Sequence, residues 1–272
     1  LKDRDVAMIG VGVMGEAILA SLVQAVDPQR VRVTTHTPAN AQAHQQTYGV
    51  RAVESNSEAV RGAAAVLVAV KPKDFAAVLQ EISPALEPDA VLISVAAGLP
   101  TSFLEKHVAR KLPVVRVMPN TPVTIGQGVS VMSAGSHATE AHLDQVADLL
   151  AETGTVLRVA EQYQDAVTSI SGSGPAYVFY VIDALAEAGV LGGLPRAMSQ
   201  QLAAATVAGA GAMAAQSGEH PVVLREQVSS PAGTTVNGVR QLDDHGVRSG
   251  VIAAAEAARR RSEELGRSLG EG

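Results

Sequence analysis

The stretch VSSPAGTT, Val228 to Thr235, gathers four hydroxyls around one proline and one glycine, with no acid among them. With Ser230 as cap and Pro231 as the first helical residue, the spacing predicts a helix whose leading amides, on Ala232, Gly233 and Thr234, point outward unpaired. Free N–H groups at the positive end of a helix attract a carboxylate. Val228, Ser229, Ser230, Gly233, Thr234 and Thr235 are therefore candidate binders of a small acid. A plain capped helix accounts for the same letters. A site is favoured by the two hydroxyls, Thr234 and Thr235, lying beside the amides with no compensating acid in the first turn.

A second cluster sits near the N-terminus, where GVGVMG lies between DVAMI and EAILASLVQAV. An apolar run before it and a helical pattern after it are the context a dinucleotide cradle needs. Gly10 permits the turn, Gly12 lets backbone approach a pyrophosphate, and Gly15 packs helix on strand, with Val13 and Met14 inside the same turn. An NAD enzyme usually carries a carboxylate about 20 residues further on, on the ribose hydroxyl. From Val31 to Val53 there is no Asp or Glu. The gap admits a 2′-phosphate, with Thr35, His36, Thr37 and Asn40 as donors, so NADPH is the expected cofactor and NADH remains possible.

Three more loops follow strand-like runs: VKPK, with Val70, Lys71 and Pro72; AAG, with Ala96, Ala97 and Gly98; and MPN, ending at Asn120. Ligands in open α/β sheets sit outside the carboxyl ends of the strands. A lysine, a glycine and an amide are thus expected to face one crevice. All five lysines precede residue 112, so the later part of the chain has no lysine acid to polarise a carbonyl. That weakens a 3-hydroxyacid dehydrogenase. A protonated imine is already electrophilic and asks for hydride and orientation more than for a strong acid.

The elements that must hold these residues follow from periodicity. Up to about residue 158, short β-branched runs (VAMI, VRVT, AVLVAV, AVLISVA, PVVRVM, GVSVMS, TVLRV) alternate with Ala-rich helical stretches, the pattern of a doubly wound, mainly parallel Rossmann-type sheet. Beyond about residue 160 helices take over. Pro175 opens one that Gly189 closes, Pro195 opens an Ala-rich one, SSPAGTT starts a third, and a fourth runs from about Val247 to Leu265. The expected division is a dinucleotide-binding domain over 1–160 and a helical domain over 161–272. Small residues from Ala203 to Ala212 and the scarcity of aromatics point to packing against a second copy.

Bulk composition excludes several classes. The 272 residues carry 21 basic and 27 acidic side chains, a formal charge of −6, with no basic run except Arg259 to Arg261, so a nucleic-acid partner is not expected. There is no cysteine, hence no disulfide or thiolate metal site, and no metal is expected. The opening LKDRDVAMIG has charges where an export signal has an apolar run, and the segment Ala197 to Gln216 is alanine-rich rather than leucine-rich. The expectation is a cytoplasmic protein with no membrane span.

The run from SGSGPAYVFY through VSSPAGTTVNGVRQL to EAARRRSEELG closely resembles the C-terminal signature of pyrroline-5-carboxylate reductases. GVGVMG, VAVKP, SVAAGL and RVMPNTP are similar to that family's N-terminal landmarks, so the likeness covers nearly the whole chain. It implies NAD(P)H-dependent reduction of 1-pyrroline-5-carboxylate to L-proline by a homodimer or a higher assembly such as a decamer, built on interlocked helical domains. The resemblance puts the substrate carboxylate on Ser230, Gly233 and Thr234, and makes Thr235 the hydroxyl nearest the ring nitrogen. Glu219 is similar to an acid near that nitrogen, although a surface-loop acid reads the same way. It further implies Asn56, Lys71 and Ala97 around the cofactor, with Val228 and Pro175 framing the pocket. Many relatives carry glycine where this chain has Ala232, a difference that matters only if the backbone there needs positive φ. Two other readings stay open: an NADP-dependent hydroxyacid or keto-acid reductase, and a non-catalytic dimeric module that binds NADP(H).

Overall fold

A computed structural model describes Leu1 and residues 3–270. Lys2, one of the five lysines counted above, lies outside the described residues. The first part of the chain runs β1 (Val6–Ile9), α1 (Val13–Ala25), β2 (Val31–Thr34), α2 (Pro38–Tyr48), β3 (Arg51–Ala52), α3 (Asn56–Val60), β4 (Ala65–Val68) and α4 (Phe75–Ile82). It continues through β5 (Val91–Ser94), α5 (Thr101–Lys106), β6 (Val114–Met118), β7 (Gly128–Ala134), α6 (Glu140–Leu150) and β8 (Gly154–Arg158). The remainder is helical: α7 (Gln164–Val167), α8 (Gly174–Leu191), α9 (Arg196–Ser217), α10 (Pro221–Gln227), α11 (Thr234–Asp244) and α12 (Val247–Gly270). The sheet order is β3-β2-β1-β4-β5-β6-β7-β8, and every neighbouring pair is parallel except β6 and β7.

The central strands β1, β4 and β5 are buried at every residue, and successive side chains enter opposite cores, as a sheet covered on both faces demands. Val6 and Met8 of β1 join Ile18, Leu19 and Leu22 of α1 and Leu143, Val146 and Leu149 of α6 in one core. Ala7 and Ile9 join Ala59 and Val60 of α3, Phe75, Leu79 and Ile82 of α4 and Leu104 of α5 in the other. Strand order reverses between β1 and β4, which makes that gap the switch point where such sheets take their ligands.

The chain packs as two compact units: Leu1–Gly172 together with the end of α12 from Ala258 onward, and Ser173–Ala257. Where the sequence pattern changes near residue 160, the packing divides at Ser173. In the second unit, among the described residues, only Ala186, Ser199 and Ala203 are buried. Apolar side chains stand in solvent along α8 and α9, with Phe179 62% exposed, Tyr180 78% and Leu191 88%.

Gly189 does not close α8, which continues to Leu191. It is a contact glycine: a Cβ there would lie 2.0 Å from Ser199 Oγ on α9, and that hydroxyl donates to Ala186 O at 2.6 Å. Close approach of two helices, not chain termination, explains the residue. The long helical run that is most apolar is also not the alanine-rich one. Glu161–Leu191, with mean hydropathy 1.3, has the length and composition to cross a membrane.

Candidate active site

At the carboxyl end of β1 the chain turns at Gly10, whose φ of +78° is left-handed and whose Cβ, if present, would lie 2.4 Å from Val70 Cγ1. Only glycine fits both demands. Val70 belongs to the loop after β4, so the turns on either side of the switch point touch each other, and Ala69 N donates to Ile9 O at 2.8 Å. Gly12 caps α1 without a side-chain bond, and a Cβ on it would meet nothing within 4 Å. Gly15 is the packing residue, its Cβ position 3.3 Å from Ala69 Cβ and 3.4 Å from Met8 Cε. Val13 is exposed at the mouth of the turn, and Met14 packs on the core.

The first turn of α1 carries one acid, Glu16, which would repel an anion at this terminus. It is drawn aside: Tyr48 Oη donates to Glu16 Oε1 at 3.1 Å, and His44 Nδ1 lies 3.8 Å from the same oxygen. Burial raises the Tyr48 phenol above its ordinary value, and the hydrogen bond and charge of Glu16 raise it further.

After β2, His36 is exposed and Thr37 caps α2, its hydroxyl accepting from Asn40 N at 3.3 Å. Asn56 opens α3 and joins two elements, since its Oδ1 accepts from Thr34 Oγ1 at 2.7 Å and its Nδ2 donates to Glu81 at 2.8 Å. Lys71 is exposed and Pro72 starts a single turn of 3-10 helix behind it. After β5, Ala96 and Gly98 are buried and Ala97 is exposed. All these positions lie on the carboxyl side of parallel strands, along one edge of the sheet.

Asn120 departs from expectation. Its amide does not stand free at the crevice: it is buried, donates to Ser171 O at 3.1 Å and accepts from Val129 N at 2.8 Å. Both ends pin the turn between β6 and β7, a use that a sequence window around MPN cannot show.

In the second unit Pro175 occupies the first turn of α8. The 228–235 segment is built differently from the sequence reading. Gly233 N donates to Ser230 O at 3.0 Å, and Ala232 has φ +58°. With Pro231 in second place, that is the type II pattern, whose third residue needs positive φ. The turn uses up Pro231 and Ala232, so the helix cap is Gly233 rather than Ser230, and α11 begins at Thr234. The amides left at its N-terminus are those of Thr234, Thr235 and Val236, not Ala232 and Gly233. No side chain caps this end and its first turn has no acid.

The hydroxyls of Thr234 and Thr235 have no hydrogen-bond partner among the described residues. Ser229 Oγ donates back to Arg225 O at 2.7 Å, and Val228 is exposed. Ala232 stands out as the sole non-glycine residue with positive φ among those described, a conformation costing about 1–2 kcal/mol for an L-residue. Glu219 is exposed on the loop between α9 and α10, and its amide donates to Ser217 Oγ at 3.2 Å.

Residues 161–265 match the model for pyrroline-5-carboxylate reductase dimerisation, and residues 5–98 that for NADP oxidoreductase, coenzyme F420-dependent. The pyrroline-5-carboxylate reductase of Corynebacterium melassecola is 45% identical over 96% of this chain and 98% of its own. The chain belongs to the pyrroline-5-carboxylate reductase family. As a member it is an NAD(P)H-dependent oxidoreductase acting on a CH–NH group, with a Rossmann-type domain ahead of a helical dimerisation domain. A solved pyrroline-5-carboxylate reductase from Coxiella burnetii superposes with a TM-score of 0.91 at 31% identity, covering 96% of this chain and 98% of that one. A Plasmodium falciparum pyrroline carboxylate reductase with NADP bound superposes at 0.87 with 29% identity, covering 98% and 99%.

Sequence reasoning missed one polar group in this reductase. Arg116 interrupts the apolar strand β6, is only 5% exposed, and pairs with Glu161 at 3.4 Å. A charge inside VVRVM was the available signal.

Proposed function

We infer that the protein reduces 1-pyrroline-5-carboxylate to L-proline with NADPH, residues 1–160 holding the cofactor and residues 161–272 the substrate and a second copy. One conjunction carries the reading: an open glycine turn at the sheet's switch point and, in the same chain, an uncapped, acid-free start of α11.

The crevice residues fit a dinucleotide. Open space over Gly12 leaves room for a pyrophosphate, and the amides of Val13, Met14 and Gly15 begin a helix whose single first-turn acid is held aside. The acid-free span from Val31 to Val53 favours NADPH over NADH, with His36 and Thr37 nearest its 2′-phosphate. Asn56, Val70, Lys71, Pro72, Ala96, Ala97 and Gly98 complete the cofactor surround, with Asn120 bracing the turn after β6. When bound, NADPH supplies a hydride.

On the substrate side, the amides of Thr234, Thr235 and Val236 hold the carboxylate at the positive end of α11, with Val228, Ser229, Ser230 and Gly233 shaping the turn that presents them. Reduction adds a hydride to the ring carbon of the C=N bond and leaves one proton on nitrogen. The iminium already carries that proton, so the second unit needs no strong acid, in keeping with its lack of lysine. The Thr235 hydroxyl orients the ring nitrogen, and Glu219 is the acid whose charge favours the iminium.

The apolar faces of α8 and α9 are read as surfaces covered by another copy, in a homodimer or a larger ring such as a decamer, rather than by lipid. The protein acts in the cytoplasm, without nucleic acid. Steady-state assays with NADPH and NADH on racemic pyrroline-5-carboxylate test the reading. Thr235→Ala should lower kcat/KM by roughly tenfold or more, the worth of one hydrogen bond to a charged group. An unchanged Thr235→Ala, or equal turnover of open-chain keto acids, would refute it.

A further inference from the structure

Arg116 lies directly across from Ser94 of β5 and Ser133 of β7 in the strand register, so the three side chains share one face of the sheet. Ser94 is fully buried, and its Oγ accepts from Ala96 N at 3.3 Å. On the other side of the same loop, Thr101 donates twice to Glu161: its amide to Oε1 at 2.7 Å and its hydroxyl to Oε2 at 2.6 Å. Arg116 Nη1 donates to that Oε1 at 3.4 Å. The loop from Val95 to Pro100 is therefore tied at its start to Ser94, the strand neighbour of Arg116, and at its end to Glu161, the acceptor of Arg116, so one polar island holds both ends.

The island is a weak source of stability. Arg116 makes a single long contact to a carboxylate, and its Nε and Nη2 are buried with no protein partner. Gln164, which donates to Ser133 Oγ at 2.8 Å, likewise leaves Oε1 unpaired. A buried cation so poorly satisfied costs more than an apolar side chain of equal volume in the same place. Val114, two residues earlier on the same face, is buried in the apolar core there. A charge retained under that penalty calls for a role in what the loop does.

We propose that Arg116 is a positioning residue for hydride transfer: through Glu161 and Thr101 it fixes the 95–100 loop against the nicotinamide. This rests on the reading of Ala96, Ala97 and Gly98 as part of the cofactor crevice. Were NADPH bound with its pyrophosphate at the β1/β4 switch point and its adenosine over β2, the nicotinamide would fall on the β4–β6 side, where the loop after β5 would form its wall. Asn120, at the end of β6, is already pinned at both ends, so the 95–100 loop is the part of the wall that depends on the island.

The test uses Arg116→Lys, Glu161→Gln and Thr101→Val in the full-length enzyme, with kcat, KM for each substrate, NADPH affinity by fluorescence, and the primary deuterium isotope effect with 4-deuterated NADPH. Arg116→Lys keeps the charge without the fork, and Glu161→Gln keeps an acceptor for Thr101 N, so at least one variant is expected to fold. The proposal expects kcat to fall about tenfold or more, because small misplacements of reacting groups are costly. It also expects the isotope effect to rise as hydride transfer becomes limiting, while KM for pyrroline-5-carboxylate stays within twofold. A purely structural Arg116 would lower the unfolding midpoint and leave the isotope effect and kcat per folded enzyme unchanged, which would overturn the proposal. Ala97→Leu separates the two levels of inference. If it leaves NADPH binding intact, the crevice assignment is wrong and the proposal falls with it. If it weakens binding while the three network variants behave as wild type, the proposal alone is wrong.

Discussion

Gly12→Ala separates binding from folding at the glycine turn. Gly12 has φ −96° and ψ −161°, extended backbone that alanine adopts without strain, and a Cβ there meets no atom within 4 Å. The folded protein should therefore lose no more than about 0.5 kcal/mol, as for a surface substitution away from any special feature. If a pyrophosphate lies against this backbone, the added methyl occupies its place and weakens at least one charge-assisted hydrogen bond, about 1.5–3 kcal/mol. That is a tenfold to hundredfold loss of NADPH affinity, roughly. The assay is denaturant unfolding with and without NADPH, together with direct titration. At a concentration of 100 times the wild-type Kd the cofactor should stabilise the wild type by about 2.7 kcal/mol, and the variant by about 1.4 kcal/mol or less. Equal stabilisation of both proteins would refute the placement of the pyrophosphate over Gly12.

Gly10→Ala should show the opposite balance, losing about 2–4 kcal/mol of stability without ligand. Its left-handed φ and the 2.4 Å approach to Val70 Cγ1 both penalise a side chain. Gly189→Ala drives a methyl into Ser199 at 2.0 Å and should cost about 1–3 kcal/mol; denaturant unfolding reads this, and size-exclusion shows whether the assembly loosens with it. Tyr48 has a folded pKa raised above the ordinary 10.0, so the stability it contributes is present below pH 10.0 and is lost as pH climbs from there through the raised value. Tyr48→Phe should flatten that alkaline decline in an unfolding series across pH, while a series identical to wild type would show that the phenol plays no part.

What sequence alone determined about this protein is what short windows encode. Apolar β-branched runs announced the strands, glycines announced the turn at Gly10, and prolines announced the starts of α8 and α9, because each reports the conformational freedom of a few adjacent residues. Long motifs such as VSSPAGTT carried the family. Tertiary structure decided whatever depends on a distant partner. Gly189 reads as a stop until Ser199 of the facing helix appears beside it, and the Asn120 amide reads as free until Ser171 and Val129 appear within hydrogen-bond reach. The start of α11 moved from Pro231 to Thr234 because a backbone bond from Gly233 to Ser230 bends the chain into a turn that forces Ala232 to positive φ. Arg116 and Glu161 lie 45 residues apart in sequence, and β1 meets β4 rather than β3 at the switch point, pairings that exist only once the sheet has formed. A residue's local preferences are written in its neighbours along the chain, whereas its hydrogen-bond partner and its steric limits are set by whichever segment folding brings alongside.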